Sequence, residues 1–405
     1  GNIMKVLFLL NGLTHYVVPM LNKLDEVDGI DVIAVAANEN SKNVGTGVYI
    51  TDEGIKFRLL YLEEIQRFYR KTFFKGLKFV LLSEKPDVII LGWPFILELA
   101  FNPLLLCFIK KNKIKILFKE IPFQVQPFGE ALKFKSTSFI DENMKLIDDG
   151  IIRKISNFFT AIIRRYYYFF VDANINYYED SYSTLKTFGV KKEKIFISYN
   201  SPDTETLFCA RQKAVTLVPQ FNYNPHRLIH VGRLVKWKRV DLLLQAVADL
   251  SVSFQNLELL IIGSGPEFNS LNLLAEKLKI TSKVSFVGAV YNPIELARYF
   301  SSSGVYVLGG MGGLSINEAM AFGKPIVCSI CDGTEKKLVR DGYNGYIFEN
   351  GNLESLKSKL VKLISDEDKI IEFGKNSESI IRNEINLQTV ISGYLTAFEY
   401  LMRKK

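Results

Sequence analysis

Short apolar runs alternate with helical patterns along the whole chain, and this alternation limits the possible folds more than any other feature. In the first half, strand patterns such as KVLFLLNG and DVIAVAAN are each followed by a helical stretch. The pattern restarts with RLIHVGRL and continues through LELLIIGSGPE, KVSFVGAV and PIVCSI. Strands that alternate with helices predict parallel sheets covered on both faces. The sequence therefore predicts an α/β fold with two doubly wound, Rossmann-like domains.

The length of the chain and one weakly patterned stretch set the domain boundaries that we predict. With 405 residues the chain can form two hydrophobic cores of ordinary size. Between 201 and 225 the periodicity is weak and prolines recur, which is typical of a connection between domains. We expect an N-terminal domain at 1–205, a linker at 206–225, a C-terminal domain at 226–384, and a last helix at about 385–405 that packs back on the N-terminal domain.

Composition argues against several classes of protein. The net charge of +8 is mild for this length, and without a dense basic stripe it does not indicate nucleic-acid binding. Four cysteines are too few for a disulfide framework, which favours a reducing, cytoplasmic location. Cys328 and Cys331 fit the end of a buried strand better than a metal or redox pair. The apolar stretch from Val88 to Ile109 is interrupted by prolines and polar residues, so we interpret it as core rather than as a membrane span.

Three loops in the second half follow strand patterns, and doubly wound sheets bind ligands at such strand ends. In the first loop, Arg233 and Lys238 stand five residues apart after a strand that ends at Gly232. Two cations this close could clamp a diphosphate, although a solvated surface pair fits the spacing equally well. In the second loop, Gly263 and Gly265 would let a ligand approach the backbone, or they form a plain turn.

The third loop, GGMGGLSINEAMAFGKPIV, is the most informative. Its glycines precede a helix that begins near Leu314 and Ser315, so its backbone N–H groups and the helix dipole could form an anion site. Glu318 lies about one turn into this helix, where it could accept hydrogen bonds from ribose hydroxyls or simply be stabilised by the dipole. The glycines of the loop are Gly309, Gly310, Gly312 and Gly313.

Five motifs in order carry a family resemblance. VGRL with its following lysine, LLIIGSGPE, VSFVG, GLSINEAMAFGKPIV and DGYNGYIFE together resemble the retaining glycosyltransferases of family 4, of the bacterial cell-surface polysaccharide type. The resemblance covers roughly Ile229 to Asn350 and, more loosely, the whole chain. It implies the GT-B fold, in which two Rossmann-like domains face each other across a cleft.

The resemblance also implies roles for individual residues. Arg233 and Lys238 would bind the donor diphosphate and stabilise its departure, Glu318 would hold the ribose, and Gly12 would face the pyrophosphate from the other domain. Further donor contacts, to the base, the distal phosphate and the sugar, are implied for Gly263, Gly265, Val287, Gly288, Gly310, Met311, Gly312, Gly313, Leu314 and Ser315.

This chain departs from the family pattern at two positions. The family usually has a glutamate eight residues before Glu318, where this sequence has Gly310, and that glutamate typically touches the donor sugar. The family also often has a histidine in the N-terminal half that faces the donor sugar. Glu120 stands about where that histidine would be expected, so we treat it as a candidate catalytic or sugar-binding carboxylate, with a solvated loop residue as the alternative.

The implied reaction moves a sugar, with retention, from a nucleotide-sugar to an acceptor. A UDP-sugar is the expected donor and a lipid-linked or polysaccharide glycan the expected acceptor. The fixed cations and loop amides would stabilise the departing nucleoside diphosphate, so we expect no metal and no other cofactor. A sugar-nucleotide epimerase on the same fold and a non-catalytic glycosyltransferase-like subunit are the alternatives.

Two stretches of the first half combine cations with aromatic residues and contain no acidic residue. We predict that both 67–82 and 151–170 are helical. A basic, aromatic helix can lie on an anionic membrane surface, or it can be a core helix with a solvated basic edge. The first interpretation predicts weak peripheral association with the inner face of a membrane.

Overall fold

The computed structural model describes residues 2–37, 53–121, 125–135, 140–147, 150–331 and 333–403. The chain divides into two units, each of which contains a parallel sheet with helices packed against it. Unit 1 comprises Gly1–Thr137, Asp148–Asn200 and Gln388–Lys405, and unit 2 comprises Ser138–Ile147 and Ser201–Leu387. The two Rossmann-like folds expected from the sequence are confirmed.

Unit 1 is built on a seven-stranded parallel sheet with the order β3-β2-β1-β6-β7-β8-β9. Its central strands are nearly continuous apolar runs because helices cover both faces of the sheet. The strands are β1 (Met4–Leu9), β2 (Ile30–Ala37), β3 (Arg58–Leu62), β6 (Val88–Leu91), β7 (Lys115–Glu120), β8 (Ala173–Asn176) and β9 (Ile195–Ile197). The helices are α1 (Val17–Asp25), α2 (Leu77–Glu84), α3 (Ile96–Phe101), α4 (Pro103–Lys111), α5 (Phe128–Leu132), α6 (Ile151–Phe170), α7 (Asp180–Lys186) and α16 (Leu387–Arg403).

The helix predicted over 67–82 is wrong in its first half. A two-stranded antiparallel hairpin, β4 (Glu64–Gln66) and β5 (Thr72–Phe74), occupies this part, and helix α2 begins only at Leu77. Tertiary contacts fix the hairpin, because Arg67 Nε and the Tyr69 hydroxyl both donate to the buried carboxylate of Glu98, each at 2.9 Å. The basic and aromatic residues of this stretch therefore do not share one helix face: those at 67–71 lie at the hairpin tip, Phe73 and Phe74 are buried in β5, and Lys78 lies on α2.

Two other expectations for unit 1 are confirmed. The helix predicted over 151–170 is α6, and the apolar stretch from Val88 to Ile109 is divided among β6, α3 and α4. In the part of the chain that the structure describes, no helix combines the length and apolar character that crossing a bilayer requires.

Unit 2 repeats the same architecture with a six-stranded parallel sheet in the order β12-β11-β10-β13-β14-β15. The order reverses between β10 and β13, and such switch points are where doubly wound sheets bind ligands. The strands are β10 (Asn224–Val231), β11 (Glu258–Ile262), β12 (Val284–Gly288), β13 (Ser303–Leu308), β14 (Ile326–Ser329) and β15 (Gly345–Phe348). The helices are α8 (Thr204–Val215), α9 (Val240–Leu250), α10 (Phe268–Lys277), α11 (Pro293–Ser301), α12 (Ser315–Ala321), α13 (Glu335–Leu338), α14 (Leu353–Ile364) and α15 (Glu367–Asn383).

Half of the predicted linker is a helix. Residues 206–215 belong to α8, which packs against α11 and α12 within unit 2. The helix begins after Asp203, whose carboxylate accepts hydrogen bonds from the backbone N–H and the hydroxyl of Thr206. This is an ordinary N-cap, and the Asp-Thr-Glu-Thr sequence was the available signal for it.

Candidate active site

Three loops at the carboxyl ends of β10, β11 and β13 lie against one another in unit 2. The Leu234 N–H donates to the Ser264 carbonyl at 2.9 Å, which joins the first loop to the second. The Met311 N–H donates to the Trp237 carbonyl at 2.8 Å, which joins the first loop to the third. The loops predicted from the sequence therefore form one surface at the switch point of the sheet.

Arg233 and Lys238 both belong to this surface. The Lys238 ammonium donates to the Gly312 carbonyl at 3.3 Å, which places its charge beside the glycine loop. The Arg233 guanidinium forms an ion pair with Glu142, with 3.2 Å between Nη1 and Oε2. Glu142 also accepts the Trp237 N–H through its backbone carbonyl at 3.0 Å, so the segment 140–147 is held on the first loop at two points.

His230, near the end of β10, is a buried polar group next to the first loop that the sequence analysis did not select. Its ring is fully buried, and Nδ1 lies 3.2 Å from the carbonyl oxygen of Val307 on β13. Within the described ranges Nε2 has no hydrogen-bond partner. Burial, and then the nearby charge of Lys238, lower the pKa of His230 to about 4, so the imidazole is neutral at physiological pH. Its place inside an apolar strand pattern gave no sequence signal.

The glycines of the second loop allow it to pack closely against the first loop. A Cβ at Gly263 would lie 1.8 Å from the carbonyl oxygen of Gly232, and the φ of Gly263 is +146°. A Cβ at Gly265 would lie 2.4 Å from the carbonyl oxygen of Leu234. Packing between the first and second loops therefore requires glycine at both positions. The end of β12 joins the same contact, because the Gly288 carbonyl, next to Val287, accepts the Gly263 N–H at 2.8 Å.

Gly310, the position of the missing family glutamate, has no room for a side chain. A Cβ there would lie 2.0 Å from the carbonyl oxygen of Trp237, and a Cβ at Gly309 would lie 2.4 Å from that of Arg239. By contrast, the nearest atom to a Cβ at Gly313 would be the Lys238 Nζ at 3.8 Å. The first two glycines are thus required by packing against the first loop, whereas Gly313 lies open beside a cation.

The third loop continues into helix α12 as the sequence predicted. Leu314 precedes the helix and Ser315 is its first residue. The Ser315 hydroxyl lies 2.5 Å from the hydroxyl of Tyr306, a buried residue of β13. This hydrogen bond holds the start of α12 on the strand. Gly323, with φ +74°, follows the helix, as its predicted C-terminal position requires.

Glu318 lies on α12, one turn from the glycine loop, and it is half-buried. Burial raises the pKa of its carboxyl group to about 7, and no hydrogen bond from the described residues counteracts that rise. A carboxylate at a ligand-binding edge that lacks protein donors is suited to accept hydrogen bonds from ligand hydroxyls.

Glu318 makes the unbound protein less stable as pH rises. The folded protein holds this proton up to about pH 7, whereas the unfolded chain releases it near 4.5, so the free energy of unfolding falls across this interval. We expect Glu318→Gln to raise the free energy of unfolding by about 2 kcal/mol at pH 8 and to change it little at pH 4. Denaturant titrations at the two pH values, with the exposed Glu276→Gln as control, measure the difference. Equal effects at both pH values would contradict the assignment.

The two candidate residues of the first half lie in unit 1. Gly12 follows β1, and the neighbouring Asn11 amide donates to the Trp93 carbonyl at 3.3 Å. Glu120 ends β7, is buried, and accepts hydrogen bonds from Arg164 and from the Tyr168 hydroxyl. The alternative of a solvated loop residue is therefore wrong for Glu120. Burial outweighs the Arg164 charge and raises the pKa of Glu120.

The predicted buried strand end at the cysteine pair is confirmed. Cys328 is fully buried on β14, and the Cys331 sulfur lies 3.4 Å from the Ser329 hydroxyl. Over the residues that the structure describes, no group of three or more histidine, cysteine, aspartate or glutamate side chains is placed to hold a metal ion.

Comparison with known proteins connects this surface to a family. The family described as glycosyl transferases group 1 matches residues 218–380, which contain all three loops. An uncharacterised glycosyltransferase of Methanocaldococcus jannaschii is 31% identical over 185 residues, which cover 44% of this chain and 46% of the relative. The N-acetyl-alpha-D-glucosaminyl L-malate synthase of Bacillus anthracis is 28% identical over 176 residues, which cover 44% of this chain and 46% of the synthase. The matched region thus spans about half the length of these relatives.

Similarity of fold extends over the whole chain. The crystal structure of Anabaena HepE in complex with UDP has a TM-score of 0.63 at 15% identity, and the match covers 98% of this chain and 100% of that one. At this identity the likeness establishes the GT-B architecture alone. The motifs, the three loops and the sequence match agree with one another. Residues 218–380 therefore resemble the glycosyl transferases group 1 family in sequence, and the chain as a whole has the fold of GT-B glycosyltransferases.

Proposed function

We propose that this protein is a glycosyltransferase of cell-surface glycan synthesis that takes its sugar from a UDP-sugar. The observation that carries the proposal is the joining of three loops at the switch point of unit 2. Arg233 and Lys238 belong to the first loop, and Glu318 lies on the helix that follows the third. The UDP complex of HepE supports UDP as the nucleotide, since HepE shares the fold. The malate synthase supports a sugar-transfer reaction, since it shares the matched region.

In this proposal the cations of the first loop bind the donor diphosphate. Arg233 offers paired N–H donors, and Lys238 offers a compact charge. The interaction of each cation with the diphosphate becomes more favourable as negative charge develops on the departing UDP. The bond between the anomeric carbon and the phosphate oxygen breaks while an acceptor hydroxyl attacks from the same face, and its proton passes to the departing phosphate. The sugar thus keeps its anomeric configuration. Because the cations are fixed, we expect activity to survive EDTA.

The proposal also includes the acceptor and the location of the protein. We propose a polysaccharide or lipid-linked glycan as the acceptor, and a cytoplasmic protein in peripheral contact with the inner face of the membrane. Support for a polysaccharide comes from relatives such as the capsular polysaccharide biosynthesis glycosyltransferase CapM of Staphylococcus aureus, which is 29% identical over 167 residues.

A panel of sugar nucleotides tests the donor assignment. Thermal shift and donor hydrolysis are measured with UDP-, GDP-, ADP- and dTDP-sugars, on the unaltered protein and on Arg233→Ala/Lys238→Ala. We expect stabilisation and slow hydrolysis with UDP-sugars alone, both lost in the double variant. Free epimerised sugar nucleotide would favour an epimerase. No stabilisation by any nucleotide would favour a non-catalytic subunit.

Glu142 competes with the donor for Arg233 in this proposal. The ion pair neutralises the guanidinium that would otherwise meet the diphosphate. Since both side chains are partly exposed, breaking the pair costs little, and we expect Glu142→Gln to lower the Kd for UDP by about threefold to fivefold. Calorimetric titration with UDP measures the change, with Glu130→Gln, whose carboxylate pairs with Lys135 in unit 1, as the matched control. A weaker affinity would mean that Glu142 supports the donor site instead.

Glu120 remains our candidate for a carboxylate that acts on the sugar. Arg164 and Tyr168 hold it in a fixed position, which suits a positioned group and also suits a purely structural one. We expect Glu120→Gln, which keeps the shape and removes the charge, to lower kcat by about a hundredfold with little change in KM for the donor. If the variant folds and turns over donor like the unaltered protein, Glu120 does not act on the sugar.

A further inference from the structure

Helix α6 carries a row of exposed apolar side chains along its full length. Its spacing alternates between three and four residues, so the side chains share one helix face. Each is between 41% and 86% exposed. We call this row the α6 seam: Ile152, Ile155, Phe159, Ile162, Tyr166 and Phe169.

The seam takes no part in the core of unit 1. The opposite face of α6 does the packing, through the buried residues Ala161, Tyr167 and Tyr168. The two tyrosine rings lie 5.1 Å and 6.0 Å from the ring of Phe118, and Tyr168 lies 5.2 Å from that of Phe188. The apolar character of the seam therefore needs a reason outside the folding of unit 1, because exposed apolar rows of this extent mark interaction surfaces.

Charge identifies the kind of partner. The stretch 150–170 contains four basic residues and no acidic one. A second copy of α6 placed against the seam would bring like charges together, whereas paired helices normally flank their seam with opposite charges. The basic residues are Arg153, Lys154, Arg164 and Arg165, but the Arg164 guanidinium is paired with Glu120, so the argument uses Lys154 and Arg165. A surface that offers negative charge over apolar chains satisfies both features of the helix.

A second apolar patch lies on elements that adjoin α6. Helix α3 packs against α6 and also holds the β4–β5 hairpin through Glu98. The hairpin tip exposes Phe68, whose ring contacts that of Phe101, and Arg70 and Lys71 follow it. Apolar and basic groups thus occur together at two places in this part of unit 1.

We propose that the α6 seam docks on the surface of an anionic lipid bilayer, with α6 lying in the plane of the interface. This inference rests on the proposed peripheral membrane contact and assigns the surface that makes it. The apolar side chains of the seam enter the boundary between headgroups and acyl chains, and Lys154 and Arg165 stay at the level of the anionic headgroups. The lipid-linked end of an acceptor would then be held on the same surface as unit 1.

Vesicle sedimentation at low salt tests the seam directly. The protein of 405 residues is mixed with phosphatidylglycerol-rich vesicles or with phosphatidylcholine vesicles, and we expect binding to the first kind alone. Phe159→Ser/Ile162→Ser removes two apolar contacts and is expected to lower the partition coefficient by about a hundredfold. The matched control is Val252→Ser/Leu273→Ser, which removes two exposed apolar side chains from unit 2.

A charge variant distinguishes docking on anionic lipid from nonspecific adsorption. Lys154→Glu/Arg165→Glu is expected to lower binding to anionic vesicles by about thirtyfold or more, since each cation near the surface contributes about a fivefold factor. Lys277→Glu/Lys375→Glu, with exposed lysines of unit 2, is the control and should bind like the unaltered protein.

Three results would overturn the inference. They are absence of binding to anionic vesicles, equal loss of binding in the control variants, and a dimer in analytical ultracentrifugation that the seam variant dissociates, which would make a second copy the occupant. Thermal shift with UDP on every variant shows that each is folded. The same measurement keeps failure of the membrane inference distinct from failure of the donor assignment.

Discussion

Replacement of Lys238 by alanine is expected to lower kcat/KM for the sugar donor by about a thousandfold. The ammonium is held beside the glycine loop by its bond to the Gly312 carbonyl, so in the proposed reaction it would meet the departing diphosphate without prior rearrangement. Groups positioned in this way stabilise charge that develops in the transition state, and removal of one costs about a hundredfold to a thousandfold. Most of the loss should appear in kcat, because the charge on the leaving group increases as the bond breaks.

The matched control for Lys238 is Lys236→Ala. Lys236 belongs to the same short turn but is exposed to solvent, and it should retain activity within about threefold of the unaltered protein. Initial rates over a range of donor concentrations give kcat and KM separately. If Lys238→Ala and Lys236→Ala behave alike, Lys238 is a solvated surface charge and the diphosphate site lies elsewhere.

Replacement of Gly310 by alanine is expected to lower the free energy of unfolding by about 3 kcal/mol. The new methyl group would lie 2.0 Å from the Trp237 carbonyl oxygen, so the first and third loops would have to separate. Backbone atoms on both sides cannot move aside as a flexible side chain would, and such overpacking is costly. Loss of the Met311–Trp237 hydrogen bond would follow, so donor binding should fall with stability.

Gly313→Ala is the control for Gly310→Ala. A Cβ at Gly313 meets its nearest neighbour, the Lys238 Nζ, only at 3.8 Å, and the variant should keep its stability within about 0.5 kcal/mol. Denaturant unfolding compares the two proteins. Gly310→Glu, which would supply the family glutamate, should be as unstable as Gly310→Ala and should not gain activity. A stable and more active Gly310→Glu would contradict this account of the loop.

Local sequence patterns predicted the sheets and most helices because the strands are short apolar runs buried on both faces. Helix α6 and the strand–loop–helix order around Lys238, Gly313 and Glu318 could be read in this way. The hairpin at Arg67 could not, because its conformation depends on a buried carboxylate, Glu98, some thirty positions away.

The role of each site residue was harder to predict than its position in the fold. Gly263 and Gly265 suggested an approach for a ligand, and the structure adds a packing reason for each, because a Cβ there would meet a carbonyl oxygen of the first loop. Glu120 stands after an apolar run in the sequence, but only the distant Arg164 and Tyr168 reveal that it is buried and hydrogen-bonded. The pairing of Arg233 with Glu142 links residues 91 positions apart. Contacts of this range leave no periodic signal in one sequence.

The division of the chain has a consequence for engineering donor specificity. Unit 2 is assembled from two separate pieces, Ser138–Ile147 and Ser201–Leu387, and the shorter piece brings Glu142 to Arg233. A chimera that exchanges only the longer piece with that of a relative would join a foreign arginine loop to the native short segment. Donor selectivity should therefore transfer cleanly only when both pieces are exchanged together, which makes a ten-residue insert as important to the graft as the domain that it accompanies.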